Sequence, residues 1–159
     1  MSKSLRRIEA TLAAAGYPHK IREMPGETRT AADAAREAGC DVDQIAKSII
    51  FRGEETGQTV LFITAGGHQV DAAKASALAG EPIGRADAAF VREMTGFAIG
   101  GVAPIAHKVP PKAFFDPRLY DFETVYPAAG TPRHIFEIAP AILRELAQAQ
   151  DADFVQFRD

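Results

Sequence analysis

The apolar runs SIIF and TVLFITAG, separated by the polar RGEETGQ, oblige this chain to build a sheet. Both runs are short and rich in β-branched and aromatic residues, and the glycine-bearing segment between them has the composition of a hairpin turn. Side chains alternate faces along a strand, so in AKSIIF the residues Lys47, Ile49 and Phe51 share one face and Ser48 and Ile50 the other. A cation on the same face as two large apolar side chains needs an explanation, because lysine is rarely buried without a partner. Two readings stand. In one, Lys47 lies near the start of the strand and its stem snorkels to water. In the other, Lys47 floors a cleft and meets an anionic or carbonyl-bearing ligand.

The remaining pattern places helices and further strands around this pair. Leu5, Ile8, Leu12 and Ala15 recur at helical spacing before Gly16, which predicts a helix over about residues 3–15. HKIREM is a short strand candidate. Thr30 opens a second helix closed by Gly39, with Asp33 in a weak capping-box position, and Asp41 or Asp43 caps a single turn ending near Ala46. VDAAKASALAG and DAAFVREMTG repeat one logic, with Asp71 and Asp87 as caps and Gly80 and Gly96 as stops. In the last third FFD, DFETVYPAAG, HIFEIA and the closing DFVQF read as strands, and PAILRELAQAQ as a helix with Pro140 in its first turn. Helix and sheet interleave without βαβ alternation, so the expected fold is α+β, a mixed and mostly antiparallel sheet with surrounding helices. At 159 residues a single domain over 1–159 is expected.

Composition narrows the function classes. With 47% hydrophobic and 25% charged residues the chain has the make-up of an ordinary globule. Its net charge of -3 argues against a protein that grips DNA or RNA through a broad basic surface, though not against brief contact with one RNA end. Cys40 is the single cysteine, and no Cys/His spacing reads as zinc, so neither a metal nor a cofactor is expected. Glu9 and Thr11 interrupt what would be a signal peptide's apolar core, and no run approaches the ~20 residues that span a bilayer. A cytoplasmic protein without membrane contact is expected.

A second cluster follows the helix ending at Gly96, in FAIGGVAPIAHK. Paired Gly100 and Gly101 permit unusual backbone angles and close approach of a ligand to main-chain N–H groups, and Pro104 stiffens the loop. The same residues also suit a buried turn. Taken in order, IAKSIIF, the strand ending in ITAGGHQVD, and LAGEPIGRADAAFVREMTGFAIGGVAPIAHK resemble the YbaK/ProX family of free-standing aminoacyl-tRNA deacylases, related to the editing domain inserted in bacterial prolyl-tRNA synthetases. The resemblance runs from about Thr30 to Phe157. It implies that Lys47 is the lysine family members need for activity. It also implies that Gly101 and Pro104 belong to the loop that holds the aminoacyl ester beside the terminal adenosine; Gly100 and Ala103 stand in the same loop, and His107, which follows it, could touch phosphate or ester but reads also as an exposed loop histidine. Several members carry Ser or Thr before this proline and Gly two residues after it, where this chain has Ala103 and Ala106.

The implied reaction is hydrolysis of the ester joining an amino acid to a tRNA 3′ end. Such an ester is already activated, so positioning and charge stabilisation can replace a strong nucleophile. Gly-x-Ser-x-Gly is absent and no Ser-His-Asp set stands out. A Lys47 ammonium would orient the substrate, and N–H groups around Gly101 could complete an oxyanion-type site. An apolar pocket separates amino acids differing by one methylene by only about 1–3 kcal/mol, so synthetases need a second sieve. Alanine, cysteine and 2-aminobutyrate are the candidates for removal, the resemblance implies proline tRNA as carrier, and prolyl-tRNA synthetase is a possible partner. His68 reads as a turn residue; Arg133 and His134 could meet RNA but read first as a solvated strand end, Lys74 could meet a phosphate but reads first as a surface lysine, and Cys40 reads as packing. The competing function is a non-catalytic module that binds aminoacyl-tRNA ends or a synthetase.

Overall fold

In a computed structural model, residues 2–157 are described, and the chain is ordered around the predicted strand pair. The strand β2 (Ile45–Gly53) pairs antiparallel with β3 (Thr59–Ala65) over seven residue pairs, from Ala46 opposite Ala65 to Arg52 opposite Thr59. All of β3 is buried, as a continuous apolar run without alternation requires, because both of its faces are covered. Leu61, Ile63 and Ala65 join the main core, while Val60 and Phe62 join a second one with Phe114 and Phe154.

The helix α1 (Lys3–Ala14) buries Leu5, Ile8 and Leu12 in the main core, and the Ser2 side chain accepts from Leu5 N–H at 3.1 Å to cap it. Ala15, expected on the apolar face, is the exposed cap residue. The expected β1 (Ile21–Glu23) forms, as do the caps of α2 (Ala31–Ala38), α3 (Ala72–Ala79) and α4 (Ala88–Thr95): Thr30, Asp71 and Asp87 each accept from a backbone N–H three residues on. Asp41 caps the single 3-10 turn Val42–Gln44 that leads into β2. No helix among the described residues is long and apolar enough to cross a membrane.

The main sheet is mixed. Beyond β3 lie β5 (Lys112–Phe115) and then β8 (Gln150–Asp151), both parallel pairings. On its other side β2 carries two short strands end to end: β4 (Ile83–Arg85) against Phe51–Gly53, and β6 (Tyr126–Pro127) against Ile45 and Ala46. A separate antiparallel pair joins β1 to β7 (His134–Phe136). The α+β expectation holds. Two expectations fail in the last third. DFVQF is not a closing strand: only Val155 pairs, in an isolated bridge to Val70. PAILRELAQAQ is helical only over α5 (Pro140–Leu146), because Gln148 turns to φ 52° and releases Gln150 and Asp151 to pair with Phe114 and Phe115.

Candidate active site

The two short strands beside β2 do not meet. Between Ala46, the last residue paired with β6, and Phe51, the first paired with β4, no strand among the described residues lies against the outer edge of β2 from Lys47 to Ile50. A cavity of about 410 Å³ lies along this gap, and Lys47, Ser48, Ile49 and Ile50 form its floor. Ala31 and Ala34 of α2, with Thr28, Arg29 and Thr30 ahead of them, supply one wall. Ile99, Gly100 and Val102 line another, and Ala128, Thr131, His134 and Ile135 complete it.

Lys47 lies two residues inside β2, half-buried, opposite the fully buried Thr64 and on the face it shares with Ile49. Its side chain belongs to the cavity lining. Arg29 brings a second cation to the same lining. His134, at the start of β7, has Nδ1 2.6 Å from Thr131 Oγ1, and that hydroxyl also accepts from the Arg133 N–H at 3.1 Å. The bond between Thr131 and the ring holds the His134 imidazole in one orientation. Reading His134 as a solvated strand end missed this. The usable signal was local: Thr131 stands three residues ahead of His134 in a proline-bearing turn, a spacing at which a hydroxyl can fix a ring.

The glycine-proline loop contributes differently from expectation. Of the residues assigned to it, Gly100 alone lines the cavity, at φ 98°, a backbone angle that excludes ordinary side chains. A Cβ on Gly101 would lie 2.6 Å from Thr131 Cα and 2.7 Å from its carbonyl carbon. The glycine lets two loops touch, and its N–H donates to Ala98 C=O at 3.2 Å, so it is not an open oxyanion donor. Ala103 is fully buried in the main core and Pro104 is buried beside it. His107 donates Nε2–H to Ala103 C=O at 2.6 Å and packs edge-on against Phe97 at 5.7 Å. Burial pushes its pKa below the ordinary imidazole range, the nearby Arg7 charge adds to this, and the bond to Ala103 offsets it only in part. His107 thus braces the loop and does not face the cavity.

The other tempting residues are structural. His68 Nδ1 lies 2.6 Å from Asp116 Oδ2, which also accepts from Ala65 N–H at 3.0 Å, so the pair pins the end of β3. Lys74 pairs with Asp153 and donates to Val155 C=O at 3.0 Å. Cys40 packs beside α2, and burial raises its thiol pKa, the opposite of what a nucleophile needs.

A crystal structure of a candidate trans-editing enzyme for prolyl-tRNA synthetase superposes at TM-score 0.91 with 42% identity, covering 99% of each chain. A scaffold protein used for presenting grafted linear epitopes superposes equally at 40% identity, covering 99% of this chain and 100% of that one, and hypothetical protein APE2540 at TM-score 0.85 and 29% identity, covering 94% and 99%. Protein YwhH of Bacillus subtilis (strain 168), uncharacterised, is 31% identical over 144 residues, 91% of each chain. Residues 25–146 match the aminoacyl-tRNA editing domain model, and the chain belongs to that family.

Proposed function

We propose that this protein is a trans-editing deacylase that hydrolyses the ester between a small amino acid and the 3′ end of a tRNA. Alanine, cysteine or 2-aminobutyrate is the amino acid removed and proline tRNA the carrier, with prolyl-tRNA synthetase as a possible partner in the cytoplasm. The observation that carries the reading is the placement of Lys47. It stands in a largely apolar strand yet opens into a cavity whose far wall holds Gly100 and the oriented His134.

In this reading the Lys47 ammonium sits by the ester or the terminal phosphate and favours the negative charge that develops on the carbonyl oxygen. Arg29 meets a phosphate at the rim. A water adds to the carbonyl carbon and passes a proton to the neighbouring ribose hydroxyl (or a water it orients), that group hands its own proton to the ribose oxygen, and the bond from the carbonyl carbon to that oxygen breaks. The products are a free amino acid and an uncharged tRNA. The apolar part of the lining, from Ala31, Ala34, Val102 and Ile135, suits a small apolar side chain.

A panel of mischarged tRNAs offered to the purified protein tests the reading. Lys47→Ala is expected to fold and to lose at least about tenfold in deacylation, roughly 1.4 kcal/mol of barrier. Near-normal turnover by that variant removes Lys47 from the chemistry. Binding of charged tRNA without any turnover by the parent protein favours the non-catalytic module instead.

A further inference from the structure

We infer that the exposed main chain of Ser48 is the dock for the amino end of the substrate, so that the site accepts acyl groups with a free α-amine and rejects N-blocked ones. The inference rests on the deacylase reading and adds the feature of the ester that is recognised.

Hydrogen-bond parity leads to it. The hairpin bond from Gly53 N–H to Gln58 C=O makes the odd-numbered residues of β2 the ones that bond across to β3. The N–H and C=O of the even-numbered residues therefore point to the outer edge. At Ala46 that edge is taken by β6, and at Arg52 by β4. Ser48 and Ile50 are the even-numbered residues within the gap and both line the cavity; Ser48, next to Lys47, also carries a polar side chain. Its hydroxyl is the second observation. Among the described residues the buried side-chain N and O atoms without a hydrogen-bond partner are Ser48 Oγ, Thr59 Oγ1 and His107 Nδ1, and of these three residues only Ser48 lines the cavity. A buried polar atom without a partner is uncommon in a folded protein and asks for one.

An aminoacyl ester is one residue of polypeptide, with the same order of amine, α-carbon and carbonyl as a strand residue. Laid along the gap, its α-ammonium donates to Ser48 C=O and its carbonyl oxygen accepts from Ser48 N–H, the two-bond exchange of an antiparallel pair. That N–H supplies the donor which Gly101 cannot, since the Gly101 N–H is already bonded to Ala98. Acylation of the α-amine removes its charge and adds bulk where β6 and β4 close the ends of the gap.

Two measurements decide. The first compares turnover of the fastest ester in the mischarged panel with the same ester N-acetylated. The second follows the Ser48 amide resonance of the labelled protein as alanine, amide-linked to 3′-amino-3′-deoxyadenosine, is added with and without an N-acetyl group. The expected result is at least a tenfold loss of turnover on acetylation, and a shift of the Ser48 amide with the free-amine compound only. Equal turnover of free and acetylated esters, or a Ser48 amide that stays unmoved at saturation, overturns the dock. Turnover with an unmoved amide leaves the deacylase reading standing without it. A moving amide with no ester hydrolysed sinks the deacylase reading and keeps the dock.

Discussion

Gly101→Ala separates a glycine kept for a ligand from one kept for packing. The new Cβ would stand 2.6, 2.7 and 2.8 Å from three backbone atoms of Thr131, where ordinary contacts begin near 3.4 Å. Backbone cannot rotate away as a side-chain tip can, so the two loops must part by the better part of an ångström. Gly101 does not sit at positive φ, so no dihedral penalty is added. Overpacking of this kind costs about 1–3 kcal/mol, which in a chain of this length lowers the thermal midpoint by roughly 2–12 °C. Parting the loops also moves Gly100 away from Thr131, to which His134 is bonded, and both loops line the cavity. Displacement of this size can cost on the order of a hundredfold in rate. Thermal unfolding and deacylation measured on one sample check both parts. A midpoint within about 1 °C of the parent, a shift below the ~1 kcal/mol minimum, would refute the close-approach reasoning. Full loss of activity with that unchanged midpoint would return Gly101 to direct contact with the ester.

Ala106 is held at φ 62°, the left-handed region, so Ala106→Gly is expected to stabilise by about 0.5–1 kcal/mol, the strain relieved less the entropy glycine adds to the unfolded chain. An unchanged or lower denaturant midpoint would refute that. His107 has its pKa lowered by burial, so the folded state holds fewer protons there than the unfolded one, and stability is full above the unfolded value near 6.5 and falls as pH drops through it. Its share of the slope is at most about 1.4 kcal/mol per pH unit, and denaturation of the parent and of His107→Gln between pH 7 and 5 should show the smaller loss in the variant.

What could be read in the sequence was what short-range chemistry decides. Thr30, Asp71 and Asp87 cap helices, and Gly39, Gly80 and Gly96 end them in left-handed geometry, because each of these jobs involves atoms within a few residues. The β2–β3 hairpin was legible for the same reason. The strands β4, β6 and β8 are two or three residues long and carry no periodicity. They are strands only because β2 or β5, distant in sequence, offers them an edge. DFVQF alternates well and still does not pair as a strand: only Val155 pairs, in an isolated bridge to Val70, while Gln150 and Asp151 just before it extend the main sheet beside β5.

The candidate site divides along the same line. That Lys47 and Ile49 share a face follows from a period of two, and the structure agrees. That the neighbouring edge is bare from Lys47 to Ile50 depends on where β6 ends and β4 begins, segments about 40 residues apart in sequence. Local pattern could find the lysine and not the gap that makes it useful. The glycine-proline loop shows the converse: Gly100, Gly101 and Pro104 looked like one ligand cradle, but consecutive residues of a loop face different ways. Gly100 opens on the cavity, Gly101 on Thr131, and Ala103 on the core. An activated ester needs little more than a fixed place, a nearby positive charge and exclusion of larger side chains. In the proposed reaction, Lys47 beside the strand edge left open between β6 and β4 is assigned the first two, and the small apolar walls from α2 and the facing loops the third.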